Sequence, residues 1–448
     1  MDRGAARIGC GAVVRLAVVA LLALLVLPAS ASAQNPWLRE RVMNIGHQGG
    51  EAELPSNTMY AFRKAVAAGV DMLEIDVNPT RDGTLVVMHD WRVDRTTNGT
   101  GYLTDLALDE VRRLDAAYNF VPGRNAVSGL PARRYPLRGV RTGDRRPPRG
   151  FTREDFRVPT LREVLRAFPR IPINIEIKGR DDDPAQFLHG AELLANELRG
   201  TRRRDLIVVS FNQAAVNRFH ELVPEVPVAP GVDGIAAFLL GGASPGEGVA
   251  ALQIPITYEL GGETVEVTTP ESVLAAHRAG YAVHVWLSGG EESRRVYERL
   301  LDMCVDGIMA ARPAALERLL RQRDVVRPDG RGVDPCGAEA ESGAFEGAGM
   351  IVDLRRRGLG PQEHRGTVTV RSTDGVLLAR GRFRMREGRE LAEPILRYTR
   401  AGRRAGVRET PNGPPVQRAI RAVATVKVRG ARGGPLRSRI RVRPVIVS

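Results

Sequence analysis

Short apolar runs alternate with amphipathic stretches from Arg41 to about Leu320. "VMNIG", "MLEIDV", "IPINIEIK", "LIVVSF", "VPVAP", "ALQIP", "YAVHVWL" and "DGIMA" read as strands bounded by turn residues. Between most of them lie stretches with apolar residues at helical spacing, such as "TMYAFRKAVAAG", "TLREVLRAF" and "TPESVLAAHRAG". Asn57 or Thr58 is placed to cap the first of these helices, and Gly69 and Gly280 are placed to end helices. Strand followed by helix, about eight times over roughly 280 residues, predicts an α/β fold: a parallel (β/α)8 barrel. The segment from Ala116 to Arg157, rich in Arg, Pro and Gly, reads as an insertion over one face.

The pattern then changes. Residues 323–345 turn to Pro, Gly and acidic residues and read as a linker between a barrel at 34–322 and a second domain at 346–448. There "GTVTVRSTDGVLLARGRFRM" alternates about an Asp374-Gly375 turn, and a second alternating stretch surrounds Gly433-Gly434. These hairpins predict a small antiparallel β-domain, a sandwich being one form it could take. At the other end Arg3, Arg7 and Arg15 precede the apolar run "LAVVALLALLVLP", followed by the small residues "ASASAQ". That is the pattern of a secretory signal peptide, residues 1–33, and it predicts a secreted or cell-envelope protein.

Charge sharpens the division. Of a net +14, residues 346–448 carry 24 basic against 8 acidic groups, a net of +16, and the rest of the chain is slightly acidic. Two cysteines follow the signal, Cys304 and Cys336, and in an oxidising compartment they are expected to form one disulfide. Neither has partners at zinc-ligand spacing.

Barrel strands are covered on both faces and should be apolar. Two break that rule. Glu74 and Asp76 in "MLEIDV" lie two residues apart and share a face, as do Glu176 and Lys178 in "INIEIK". Burying three carboxylates together is unfavourable without compensation. A bound cation facing Glu74, Asp76 and Glu176 is one resolution, and an all-oxygen set favours Ca²⁺ or Mg²⁺. A salt-bridge cluster with nearby arginines is the other. Lys178 is one of only three lysines among 66 basic residues, and a compact charge on a flexible stem can approach an anion where guanidinium does not fit. His47 ends the first strand and His89 ends the apolar run after the second, which places both on the C-terminal rim. Two histidines beside a bound cation suit general acid–base attack on a phosphate ester. Trp286, ending the seventh strand, could wall an alcohol moiety or serve as a core aromatic. His284, inside that strand, reads as a satisfied core histidine; His189, His220, His277 and His364 receive no role.

In order along the chain, "GHQGG", "LPSNT", "EID", "RDGTLVVMHD", "DRTTNGTG", "VPTLREVL", "NIEIK", "ALQIP", "VHVW" and "VDGIMAARP" resemble the motifs of the glycerophosphodiester phosphodiesterase family, a TIM-barrel group. The resemblance implies metal-dependent hydrolysis of glycerophosphodiesters to glycerol phosphate and an alcohol. It makes Glu74, Asp76 and Glu176 the metal ligands, His47 and His89 the acid–base pair, and Lys178 a phosphate contact. Gln48 stands where the family has arginine, Ser56 where it has glutamate, and Ala311 where many members have an acid. The first two changes remove one charge of each sign and read as a compensated pair. Gln48 would then donate a neutral hydrogen bond to the phosphate or to neighbours of Ser56.

Two rival readings keep the barrel. A phospholipase D-like lyase would expel the alcohol by internal attack and leave a cyclic phosphate; a non-catalytic barrel would only bind the envelope. Besides the small phosphodiester substrate, the arginine-rich domain has the charge to hold an anionic envelope polymer or membrane surface. A solvated face in an arginine-biased chain is the plainer account of it. Nucleic acid is not expected as a partner, because the basic domain carries no recognised nucleic-acid motif and little aromatic interleaving.

Overall fold

A computed structural model describes residues 35–38, 42–180, 182–260, 262–287, 290–323, 325, 339–346, 349–355, 364–386, 391–404, 407–410, 413–417, 420–428 and 436–444. The expected signal at 1–33, Cys336 with most of the linker, and the Gly433-Gly434 turn lie outside these residues. Cys304 is disulfide-bonded.

The first architecture is a parallel barrel. Its strands are β1 (Met43–Gly46), β2 (Met72–Pro79), β4 (Ile173–Ile177), β5 (Leu206–Val209), β6 (Ala251–Pro255), β7 (Ala282–Trp286) and β8 (Gly307–Ala310), with β3 (Leu85–Val87) paired antiparallel to the end of β2. The parallel strands run in the order β5-β4-β2-β1-β8-β7-β6. The expected fifth strand, "VPVAP", shrinks to Val228, which bridges Val208 on one side and Val249 on the other. Pro227 and Pro230 flank it and offer no N–H to a ladder, so no longer strand forms. Val228 still fills the gap between β5 and β6, and the ring closes there.

Helices follow the strands: α1 (Met59–Ala68), α2 (Leu161–Ala167), α3 (Pro184–Leu198), α4 (Gln213–Leu222), α5 (Val232–Gly241), α6 (Pro270–Ala279), α7 (Arg294–Asp302) and α8 (Pro313–Gln322). Apolar strand residues such as Ile75, Ile175 and Val208 pack outward on Phe62, Leu194 and Phe219 of these helices. Thr58 is the N-cap of α1 and accepts from the Ala61 N–H at 3.1 Å. Asn57 takes a left-handed conformation instead, φ 57°. Gly69 and Gly280 end α1 and α6 in left-handed caps, as their positions predict. The 116–157 insertion packs against α1, with Tyr60 stacked on Phe156 at 4.7 Å and Arg63 paired with Asp155 at 3.2 Å.

Inside the ring Met43, Ile45, Met72, Ile207 and Met309 pack with Trp37. Above them the filling is polar. Asn174 and Gln253 exchange amide hydrogen bonds of 2.9 and 3.2 Å. His284 is fully buried, as expected of a core histidine, but neither ring nitrogen has a hydrogen-bond partner. Burial lowers its pKa to about 4 and keeps it neutral.

The second architecture is a β-ring, not a sandwich. β9 (Glu339–Glu346), β10 (Gly349–Arg355), β11 (His364–Ser372), β12 (Leu377–Met385), β13 (Ile395–Tyr398), β14 (Ile420–Val428) and β15 (Leu436–Pro444) pair in the order β10-β9-β15-β14-β11-β12-β13 and return to β10. All of these pairs are antiparallel except β9–β15, which is parallel. Closure removes the unpaired edges a sandwich would keep. Val368, Val370, Phe383, Met385, Leu396 and Val426 fill the core, while Arg365, Arg380, Arg382 and Arg384 alternate outward and are exposed.

Candidate active site

Parallel register sets Asp76 of β2 beside Glu176 of β4, and Glu74 beside Asn174. The period of two then turns all three carboxylates to the barrel's interior rim. One oxygen from each of Glu74, Asp76 and Glu176 lies within 4.8 Å of the others, and all three residues are buried. Lys178 places Nζ 2.7 Å from Glu176 Oε1 and 3.3 Å from Asp76 Oδ1. The Gln48 N–H donates to Glu74 Oε2 at 2.7 Å, and Asn57 Nδ2 donates to Asp76 Oδ2 at 2.8 Å. That leaves Glu74 Oε1 buried without a hydrogen-bond partner, and Asp76 Oδ1 buried with no hydrogen bond but with the Lys178 ion pair.

One lysine cannot offset three buried carboxylates. Burial, with Asp76 and Glu176 alongside, pushes the Glu74 carboxyl well above the usual range. Burial would raise Asp76 too, but Lys178, His89 and the Asn57 hydrogen bond hold it below its ordinary value. The ionic partners of this cluster are Lys178 and, at a longer distance, His47, not the arginines of the salt-bridge alternative. An unpartnered Glu74 oxygen beside an Asp76 oxygen that meets only the Lys178 ammonium, within an all-oxygen set, fits a hard divalent cation.

His47 opens a tight turn after β1 in which Gln48 is left-handed, φ 51°. Its Nδ1 lies 3.0 Å from Glu51 Oε1, an ion-pair distance not aligned as a hydrogen bond, and its Nε2 lies 3.9 Å from Glu74 Oε2. Burial works against its charge, but Glu51, Glu74 and Asp76 outweigh burial and lift its pKa to about 10. His89 follows the antiparallel strand β3 and not a barrel strand, and it is partly exposed. Its Nδ1 lies 2.7 Å from Asp90 Oδ1, and Arg95 grips Asp90 through Nε at 2.5 Å and Nη2 at 3.0 Å. A proton on Nδ1 facing Asp90 leaves Nε2 as the acceptor.

His47, Glu74, His89, Glu176, Lys178 and Trp286 all line one cavity of about 580 Å³. Trp286 packs its ring 5.8 Å from Phe211, and Lys178 Nζ lies 5.5 Å from the Phe211 ring centre. Gln48 is placed differently. Its side chain is buried with Oε1 lacking a hydrogen-bond partner, and it meets the cluster through its backbone N–H. Its carbonyl accepts from the Asn57 N–H at 2.9 Å, so Gln48 and the residue after Ser56 share a backbone hydrogen bond.

Several supporting residues escape a reading of the sequence. Asp90 sits next to His89, but adjacency alone does not tell a hydrogen-bond partner from a turn residue. Asn57 was legible as a cap and not as a carboxylate donor. Glu292 binds beside Ala311: it accepts from the Ala311 N–H and, at 2.8 Å, from the Tyr297 hydroxyl. Burial lifts its pKa to about 7.

Comparison with known proteins identifies the family. The sequence model of the glycerophosphoryl diester phosphodiesterase family matches residues 47–315. The chain belongs to that family. It is 36% identical over 188 residues to the YhdW protein of Bacillus subtilis, covering 41% of this chain and 63% of that protein, less than two thirds of its length. A Bacillus subtilis glycerophosphodiester phosphodiesterase is 28% identical over 299 residues, covering 65% of this chain and 92% of the relative. Among solved structures, an Oleispira antarctica phosphodiesterase in complex with sn-glycerol-3-phosphate covers 63% of this chain and 96% of its own at 20% identity, with a TM-score of 0.46.

Proposed function

We propose that this family member hydrolyses glycerophosphodiesters to glycerol phosphate and an alcohol by acid–base catalysis from His47 and His89. The observation that carries the reading is the convergence of Glu74, Asp76 and Glu176, with Glu74 Oε1 unpartnered, at a cavity lined by Glu74, Glu176 and both histidines. Those carboxylates would hold Ca²⁺ or Mg²⁺, which when bound supplies Lewis-acid stabilisation of charge on the phosphoryl oxygens. The rest is done by the chain. Lys178 offers a compact cation to the phosphate. His89, oriented by Asp90, takes the proton of the attacking water at Nε2. His47, held charged by Glu51 and Glu74, gives its proton to the departing alkoxide. Trp286 and Phe211 wall the alcohol side.

The test is turnover of glycerophosphocholine by purified protein after chelation, then with Ca²⁺ or Mg²⁺ added back. Phosphorus NMR should show glycerol phosphate as the first product. A cyclic phosphate would assign the lyase reaction instead, and activity that survives chelation would make the acidic cluster structural.

Two further readings complete the proposal. The signal-like N-terminus would deliver the protein to the cell envelope or beyond, and the outward arginines of the β-ring would hold it at anionic envelope polymers or membrane surfaces.

A further inference from the structure

Helix α5, "VDGIAAFLLG", has the composition of a buried helix, yet Gly234 is its only buried residue. Ile235, Phe238 and Leu239 are half-buried and Leu240 is 76% exposed. A helix apolar all round is normally covered on all sides. Facing the same space is the hairpin Thr257–Leu260/Glu263–Glu266, exposed along its whole length. Nine large apolar residues are exposed among the described residues, and five of them line this one cavity: Phe211, Leu240, Tyr258, Leu260 and Val265. Scattered exposed apolar residues need no explanation, but a concentration of them does.

The apolar wall is continuous with the catalytic end. The cavity that holds His47, Glu74, Glu176 and Lys178 runs past Trp286 and Phe211 to α5 and the hairpin. An occupant filling it carries a phosphodiester at one end and hydrocarbon at the other. We infer that the site takes single-chain amphiphilic phosphodiesters, with the phosphate at the Glu74–Asp76–Glu176 cluster and the hydrocarbon chain along α5 and the hairpin. This rests on the hydrolase reading above for the placement of the phosphate. The chemistry is unchanged: water adds across the P–O bond, and the chain leaves with the alcohol or stays on the phosphomonoester according to which side bears it. Charge favours a single amphiphile over an anionic bilayer as the occupant. The hairpin carries Glu259, Glu263 and Glu266, of which Glu266 pairs with Arg299, and no basic residue of its own, so it offers no cationic face to anionic headgroups.

Purified protein with its divalent cation is assayed on glycerophosphocholine, on lysophosphatidylcholines of lauroyl, myristoyl and palmitoyl chain, and on glycerophosphohexadecanol, each below its critical micelle concentration. The lysolipids carry the chain on glycerol and the last substrate carries it on the leaving alcohol, so the two arms tell which side enters the groove. The expected result is a kcat/KM that climbs with chain length by up to about fourfold per methylene, the equivalent of about 0.8 kcal/mol, until the groove is full. Leu240→Asp combined with Leu260→Asp should flatten that climb, with thermal melting confirming the fold. A second measurement does not depend on turnover: hexadecylphosphocholine should perturb Trp286 fluorescence saturably at one equivalent and bind more tightly than glycerophosphocholine, with Trp286→Phe removing the signal. Turnover of glycerophosphocholine without chain preference and without tighter hexadecylphosphocholine binding overturns the groove and leaves the hydrolase reading intact. Tight hexadecylphosphocholine binding without turnover of any diester does the reverse. A chain effect seen only with micelles or vesicles assigns the patch to surface adsorption and also overturns the groove.

Discussion

The barrel and the β-ring both place charged residues in strands, with opposite consequences. In β2 and β4 the ionisable side chains point inward, where Glu74, Asp76 and Glu176 crowd one another with a single lysine between them. In β11 and β12 the arginines point outward over an apolar core that contains none of them. A charge on a solvated face costs almost nothing, so its presence constrains little. A buried charge that is incompletely matched persists only when something offsets it, and in an enzyme that something is the ligand and the reaction. The informative residues are therefore the few acids inside the barrel and not the many arginines outside the ring.

The sharpest way to break this contrast is to remove one inward carboxylate. Alanine at Glu74, Asp76 or Glu176 should abolish stoichiometric cation binding, measured by calorimetry, and lower turnover by about 10³–10⁴-fold, several kcal/mol of transition-state stabilisation. Folding should respond in the other direction. Glu74 has a pKa raised well above 4.5, so in chelated protein the folded state holds a proton that the unfolded chain has released. Stability then falls as pH rises above the ordinary glutamate range, and the loss continues until pH passes the raised folded value. Glu74→Gln should remove this decline and melt higher than the parent in chelator at neutral pH. An unchanged pH dependence of melting would show that Glu74 is not under the repulsion its surroundings imply.

Next in size are the histidines. His47→Ala and His89→Ala should each lower turnover by about 10²–10⁴-fold while cation binding persists, since neither belongs to the Glu74–Asp76–Glu176 cluster. Retained turnover in either variant removes it from the proton-transfer role. Asp90→Asn should cost less, about 10–100-fold, because His89 remains but loses the acceptor that fixes its tautomer. Its effect should fall on kcat, with KM nearly unchanged. An effect on KM alone would make Asp90 a support of the loop.

What the sequence made legible follows the same contrast. The barrel's repeat and its four charged strand residues could be read because a period of two combined with burial makes an inward acid conspicuous. Asp90, Arg95, Glu292 and Asn57 could not, because they themselves lie in loops, where no periodicity tells which polar residue turns toward a partner. Helix α5 is misleading for the opposite reason: its composition is that of core, and only the fold reveals that Ile235 and Phe238 are merely half-buried against the barrel while Leu240 is exposed. The closure of the β-ring was equally hidden. Pairing of β9 with β15 joins segments about a hundred residues apart, and alternation in each strand is the same in a sandwich or a ring.

The smallest expected effect tests the outer half of the contrast. Replacing Arg365, Arg380, Arg382 and Arg384 together by Gln removes four charges from one exposed face and leaves the Val368, Val370, Phe383 and Met385 core in place. Solvated charges contribute little to stability, so melting should move by no more than a degree or two and turnover of glycerophosphocholine should stay within about twofold. Adsorption of the purified protein to anionic vesicles or cell-wall polymer should weaken. What remains should depend less steeply on salt, because fewer charges are left to screen. If adsorption is unchanged, or if the parent shows none at low ionic strength, the arginines are a solvated surface and nothing more. If turnover of the small diester falls severalfold with the fold intact, charge on the ring influences the barrel's chemistry, and the division between informative and uninformative charge is wrong for this protein.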